Sequence, residues 1–218
     1  YSNLLSAARF ITASDAAEVL VLMHETSSDI SAAVHRATKV RKMHTSRRDS
    51  FQSINAPPVA RMDFGDGIEY LSPYCRKSDI KVTPRLEMEK DVALIQFYPG
   101  MSPSVLDGIL EKSRGVVIAG SGLGHVSTEL ISPIRRAVAE GKVVVMTSQC
   151  LHGSVNLNVY ATGRDLLSAG VVPGGDMLPE TAHVKLMWVL GQTSDADEVR
   201  KMMMTDLRGE LTDRRVMQ

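Results

Sequence analysis

Residues 91–146 have the sequence DVALIQFYPGMSPSVLDGILEKSRGVVIAGSGLGHVSTELISPIRRAVAEGKVVVM, and this stretch decides the fold class of the chain. Within it, Ser102 and Pro103 predict the start of a helix, because serine is favoured as an N-cap and proline in the first turn. Strands that alternate with helices indicate a parallel sheet with right-handed crossovers. Three apolar runs of strand length, at residues 92–98, 116–119 and 142–146, alternate with two predicted helices, at residues 102–112 and 127–140.

The residues that follow continue the alternation. We predict an irregular region over residues 150–176 with a short helix at 164–169, then a helix over 179–190 that ends at Gly191, and a last helix over 195–204. The predicted fold class is therefore α/β, with residues 85–218 forming a small, doubly wound parallel-sheet domain.

The N-terminal part has weaker signals. Residues 1–13 are predicted as a helix, and the apolar run at 18–24 is typical of a strand buried in a parallel sheet. Residues 34–40 are predicted to be extended, and residues 56–68, with two prolines and two glycines, to be a surface connection. We expect residues 1–84 to be the end of a larger α/β domain plus a linker, and we expect the sequence to be partial, because no capped helix start precedes residue 4.

Composition excludes several broad classes. The 218 residues contain 25 Lys plus Arg and 25 Asp plus Glu, so no global charge attracts nucleic acid or a membrane surface. No apolar run has the length needed to cross a bilayer. The two cysteines lack metal-ligand spacing and are expected to be reduced thiols in a cytoplasmic protein.

The densest run of basic side chains lies in residues 39–48, which overlap the stretch VRKMHTSRRDSFQSIN (residues 40–55). A lysine flanked by other cations is a candidate base near neutral pH, because each positive neighbour disfavours a further positive charge. A solvated loop and an RNA-contact patch are the alternatives that charge alone leaves open.

Other motifs support neither a cofactor site nor a metal site. The turn at residues 120–125, GSGLGH, follows a strand and precedes a helix, but His125 stands where a dinucleotide fingerprint needs glycine or alanine. We predict a tight structural turn there. The chain has no phosphate-binding loop, no G-x-S-x-G elbow and no histidine pair with zinc spacing.

Several motifs in order carry a family resemblance. The segment that runs from Arg36 through Lys42 to Phe51 resembles the lysine segment of the type I (cytoplasmic) asparaginase family. Four further segments resemble that family in the same order, and they are GSGLGHV (120–126), TSQCLHGSVN (147–156), YATGRDLLSAGVVPGGDM (160–177) and LPETAHVKLMWVLGQT (178–193). The spellings RKMHTSRRD and GDMLPE are most similar to the asparaginase-like D subunits of archaeal glutamyl-tRNA(Gln) amidotransferases.

The resemblance implies an asparaginase-like fold and an amidohydrolase. Family members use a threonine nucleophile on a side-chain amide, assisted by a second threonine, an aspartate and a lysine. Lys42 matches the family's lysine and is the one catalytic residue that we predict. The T-G-G-T-like and H-G-T-D-T-like motifs that carry the other groups do not occur in the 218 residues, and we expect them upstream of Tyr1.

The resemblance to the amidotransferase subunits also implies partners. We expect a glutaminase that supplies ammonia for the ATP-dependent conversion of Glu-tRNA(Gln) to Gln-tRNA(Gln). A kinase/transferase partner subunit is expected to bind ATP, magnesium and most of the tRNA, and the asparaginase core is expected to form a homodimer. The alternatives are a free cytoplasmic asparaginase that hydrolyses asparagine, and a non-catalytic RNA-binding module that uses residues 39–48.

Overall fold

The computed structural model describes residues 1–64 and 67–212, and these residues form two units, 1–83 and 84–212. Residues 65–66, which belong to the predicted surface connection, lie outside the described residues. So do residues 213–218, at the end of the predicted C-terminal domain. Each unit is described by itself below.

The N-terminal unit combines a helix, a four-stranded sheet and a separate two-stranded hairpin in its described residues. In chain order its elements are α1 (Ser2–Ala13), β1 (Leu20–His24), β2 (Ser31–Arg36), β3 (Val40–Lys42), β4 (Phe51–Ser53), β5 (Ala60–Asp63) and β6 (Ile68–Tyr70).

The four-stranded sheet has the order β1-β2-β5-β6, and each neighbouring pair is antiparallel. Strand β2 lies inside the sheet, and its first five residues, SAAVH, are buried. The core of the unit is small: Phe10 of α1 packs with Val34, Ala60 and Met62 of the sheet. The hairpin pairs β3 with β4, so that Lys42 lies opposite Phe51.

Several predictions for this unit are wrong. The strand predicted at residues 18–24 is present as β1, but its neighbour β2 is antiparallel to it and four of its five residues are half-buried. Strand β2 begins at Ser31, three residues before the extended segment predicted at 34–40. The sequence did not indicate this start, because serine and alanine fill a crowded interior without an apolar signature. The predicted surface connection at residues 56–68 contains β5, an inner strand of the sheet.

Helix α1 confirms the helix predicted at residues 1–13, but its most apolar face points away from the core of this unit. Leu4 and Ile11 are 77% and 69% exposed, whereas Ser6 and Phe10 are buried.

The C-terminal unit is a parallel sheet between helices. In chain order its elements are β7 (Val92–Gln96), α2 (Pro103–Lys112), β8 (Gly115–Gly120), a 3-10 turn (Thr128–Leu130), α3 (Ile131–Ala139), β9 (Val143–Ser148), α4 (Ala161–Ser168), β10 (Val172–Pro173), α5 (Pro179–Gln192) and α6 (Ala196–Met203).

The four strands have the order β10-β9-β8-β7 and are all parallel. Side chains on one face of β8 and β9 pack with α2, α3 and α4, and those on the other face pack with α5 and α6. Helices on both faces explain why both strands are apolar along their length. The predicted α/β class and doubly wound parallel sheet are confirmed.

Two predicted helix boundaries in this unit differ from the structure. The helix predicted from residue 127 begins with a 3-10 turn and becomes α-helical at Ile131. Gly191 was predicted to end a helix, yet it lies inside α5. A Cβ on Gly191 would lie 2.3 Å from the Glu87 carbonyl oxygen. The glycine therefore lets the extended segment before β7 pack against α5, where Trp188 Nε1 donates to the Arg85 carbonyl.

A buried ion pair fixes the residues that follow α6. Lys185 Nζ lies 2.6 Å from Glu210 Oε1, and both side chains are at least nine-tenths buried. Lys185 also donates to the carbonyls of Met203 and Thr205. Burial by itself raises the pKa of Glu210, but the hydrogen bond from Lys185 and three backbone N–H donors lower it to about 2. Removing one partner leaves the other charge buried without compensation.

We predict that Glu210→Gln lowers the free energy of unfolding at pH 7 by about 3 kcal/mol or more. The carboxylate has its ordinary pKa in the unfolded chain and a pKa of about 2 in the folded chain. Its stabilisation is therefore complete above pH ~4.5 and is lost as the pH falls toward 2. Urea unfolding at pH 7 and at lower pH measures the loss of stability and its pH dependence. It is carried out on the unchanged protein, on the variant and on an exposed control, Glu198→Gln. A loss no larger than that of the control would contradict the prediction.

Candidate active site

Lys42, the predicted catalytic residue, is the last residue of β3. Its backbone is fixed by pairing with Phe51, and the next N–H, that of Met43, donates to the Ser50 carbonyl at 2.5 Å. Its side chain is exposed. The ammonium nitrogen lies 5.9 Å from the centre of the Phe51 ring, at the outer limit of a cation–π contact. The hairpin therefore presents Lys42 at its loop end, on a backbone held by strand pairing.

The basic stretch around Lys42 is not a continuous patch of solvated cations. Lys39 is buried. Arg47 forms a bidentate ion pair with Asp49, with N–O distances of 2.9 and 2.5 Å. Arg48 Nη1 lies 2.5 Å from Asp29 Oδ2. Two of the cations that made this stretch conspicuous in the sequence are therefore neutralised by nearby carboxylates.

Both carboxylates have pKa values that these contacts lower. For Asp49, the hydrogen bond from Arg47 is the main cause. For Asp29, the hydrogen bond with His24 is the largest cause, followed by the one from Arg48. Asp29 and Asp49 are therefore charged at neutral pH, in the state that pairs with arginine.

The other end of the hairpin is tied to the main sheet. His35 Nδ1 of β2 lies 2.8 Å from Ser53 Oγ of β4, and the Ile54 N–H donates to the Lys39 carbonyl. Burial disfavours the charged imidazole and lowers the pKa of His35 to about 4, although Glu25 nearby acts in the opposite direction. A neutral His35 thus attaches the Lys42 hairpin to the main sheet, at the end of the hairpin away from its loop.

The glycine-rich turn at residues 120–125 belongs to the C-terminal unit, and the prediction of a tight turn is confirmed. The N–H of Ser121 donates to the His125 carbonyl, and Gly122 and Gly124 have positive φ angles of 54° and 101°. His125 Nδ1 lies 3.1 Å from Thr162 Oγ1. The turn lies at the carboxyl end of β8, the edge at which parallel sheets bind ligands.

The sequence did not indicate His24, Asp29 or His35 as neighbours of the hairpin. Their spacing from it follows no motif, and contacts such as Asp29–Arg48 join residues 19 positions apart. Among the residues that the structure describes, no group of three or more His, Cys, Asp or Glu side chains could hold a metal ion. No helix in residues 1–64 or 67–212 is long and apolar enough to cross a membrane.

Two family descriptions together cover most of the chain. Residues 1–74 match the family "Asparaginase, N-terminal", and residues 91–203 match "Glutaminase/Asparaginase C-terminal domain". The chain belongs to the asparaginase/glutaminase family. The predicted asparaginase-like fold, with an N-terminal domain followed by a parallel-sheet domain, is therefore confirmed.

The chain is similar to a set of archaeal members of this family. It is 55% identical over 212 residues to the D subunit of glutamyl-tRNA(Gln) amidotransferase from Pyrococcus furiosus, over 96% of this chain and 48% of that protein. It is 49% identical to the corresponding D subunit from Methanopyrus kandleri, over 99% of this chain and 48% of that protein. The chain spans about half the length of the curated relatives it matches.

Solved structures of the family have the same fold. The thermostable L-asparaginase from Thermococcus kodakarensis matches with a TM-score of 0.88 and 33% identity, over 98% of this chain and 62% of that one. L-asparaginase I from Vibrio cholerae matches with a TM-score of 0.72 and 33% identity, over 83% of this chain and 55% of that one.

The pKa of His35 predicts a pH dependence of stability. Between pH 6.5 and about 4 the unfolded chain binds a proton at His35 that the folded chain does not, so stability falls as the pH falls through this window. The loss amounts to about 3 kcal/mol at its full extent. In His35→Gln this part of the pH dependence should disappear, whereas His152→Gln, which changes an exposed histidine, should retain it. Chemical unfolding at pH 7, 5.5 and 4 tests the difference.

Proposed function

We propose that this chain is the asparaginase-like part of the glutaminase subunit of an archaeal Glu-tRNA(Gln) amidotransferase. One observation carries the proposal: the chain is 55% identical to an amidotransferase D subunit over 96% of its length, but 33% identical to two L-asparaginases of known structure. The spellings RKMHTSRRD and GDMLPE belong to the same resemblance.

In this proposal Lys42 is a proton-transfer residue for a threonine nucleophile. A threonine hydroxyl attacks an amide poorly until a base accepts its proton. The attack forms an acyl-enzyme, ammonia leaves, and water then releases glutamate. The chain contains neither threonine motif of the family. In this proposal another segment of the polypeptide supplies the nucleophile, for which relatives about twice as long leave room.

We propose further that the ammonia passes to a kinase/transferase partner subunit. That partner binds ATP, magnesium and Glu-tRNA(Gln), activates the carboxyl group of the misacylated glutamate and accepts the ammonia. The asparaginase core forms a homodimer, and the complex works in the cytoplasm. The relatives are each named as one subunit of an amidotransferase. This supports the existence of a partner subunit.

A free cytoplasmic L-asparaginase is the second candidate. The observation that favours it is the fold, because the L-asparaginase from Thermococcus kodakarensis has a TM-score of 0.88 to this chain. Fold similarity alone is a weak guide to the substrate. The lower sequence identity to the asparaginases places this candidate second.

We predict that Lys42→Ala lowers kcat for glutamine hydrolysis by about a hundredfold or more, because the proton-transfer step loses its base. The measurement is ammonia release by a protein that has the full length of the relatives and carries this chain. The matched control is Lys201→Ala, which removes another exposed lysine, on α6. Unchanged circular dichroism would show that the fold is retained. Near-normal ammonia release from Lys42→Ala would remove Lys42 from the mechanism.

Co-purification separates the two candidates. For the amidotransferase we expect a stable complex with a second subunit and a glutaminase activity that Glu-tRNA(Gln) and ATP stimulate. Full activity on asparagine by the isolated protein, without stimulation by tRNA, would support the free asparaginase instead.

A further inference from the structure

The loop that follows Lys42, residues 43–50, has little apolar contact to fix its shape. Residues 43–48 are all exposed, and the methionine among them is 37% exposed. An exposed loop with few apolar contacts belongs to the part of a protein that opens most readily. The conformation of the chain next to Lys42 therefore depends on polar contacts.

Two of these polar contacts lie within the loop. His44 Nδ1 accepts hydrogen bonds from the backbone N–H groups of Ser46 and Arg47, both at 3.1 Å. Arg47 then pairs with Asp49. These contacts give the loop a compact shape, but they do not determine where it lies relative to the sheet.

A third contact joins the loop to the sheet. Arg48 pairs with Asp29, which lies in the connection between β1 and β2. The second oxygen of Asp29 lies 2.8 Å from Nε2 of His24, the last residue of β1. His24 is buried, and its ring packs edge-on against Phe64 with the centroids 5.4 Å apart. Asp29 thus connects the exposed loop to a buried side chain of the sheet.

The hairpin is consequently held at both ends. At its base, His35 contacts Ser53. At its loop end, where Lys42 lies, Asp29 contacts Arg48. We propose that Asp29 is a positioning residue that, through Arg48, sets the orientation of Lys42 toward the hydroxyl of the threonine nucleophile. This inference rests on the role proposed above for Lys42.

Loss of this contact should act on the chemical step. A small displacement of a proton-transfer group is costly to kcat, while substrate contacts made elsewhere are unaffected. For Asp29→Asn we expect kcat for glutamine to fall by about tenfold, with KM within about twofold of the unchanged protein. Arg48→Ala should have the same effect, and the double variant should lose no more than either single one, because both changes remove one contact. Asp29→Glu, which keeps the charge, should retain most of the activity.

The experiment uses the full-length protein with its partner subunit. The matched control is Asp107→Asn, which breaks the Asp107–Arg136 ion pair of similar exposure in the C-terminal unit. It should leave kcat within about twofold, since surface ion pairs contribute little to stability. Thermal unfolding of each variant separates a positioning effect from loss of the fold.

The outcomes distinguish this inference from the proposed function. If Lys42→Ala is inactive while Asp29→Asn keeps its kcat, the positioning role of Asp29 is wrong and the role of Lys42 stands. A rise in KM without a fall in kcat would also overturn the inference, because the loop would then contact substrate directly. If Lys42→Ala is active, the role of Lys42 fails, and the inference about Asp29 fails with it.

Discussion

Strand β8 is buried at all six of its residues, GVVIAG, and the C-terminal unit is arranged around that burial. A strand covered on both faces must be apolar throughout, so helices lie on both sides of it. The first and last residues of the strand are also closely packed, and both are glycines. A Cβ on Gly115 would lie 2.8 Å from a methyl group of Leu190, and a Cβ on Gly120 would lie 2.9 Å from the backbone of Gly124. Gly115 and Gly120, at the two ends of β8, are thus explained by packing.

This constraint is also why the C-terminal unit could be predicted from its sequence. Apolar runs of strand length and a capped helix start are local signals, and the parallel order follows from the crossovers. The N-terminal unit lacks such signals. Its inner strand β2 contains serine, two alanines, valine, histidine and arginine, and β5 follows two prolines. Antiparallel pairing of β2 with β5 depends on contacts between residues about 30 positions apart, which no local pattern records.

The candidate site shows the same division. Lys42 could be predicted as the catalytic lysine from the sequence alone, because several motifs of the family occur in it in the same order. The residues that hold its hairpin were not visible, since His24, Asp29 and His35 are brought to it by the turn between β1 and β2 and by the pairing of the sheet. A charge run in the sequence records which cations are close together, but it does not record which carboxylates will meet them.

The ion pairs of Arg47 and Arg48 argue against the RNA-binding hypothesis. A phosphate that bound the loop through Arg47 and Arg48 would have to displace Asp49 and Asp29, or bind beside their negative charges. Removing Asp29 from Arg48 would also break the connection between the loop and His24. Nucleic-acid affinity comes chiefly from cations that are available to neutralise phosphates. Here the two arginines already have carboxylate partners, and their charge stabilises the shape of the hairpin that presents Lys42.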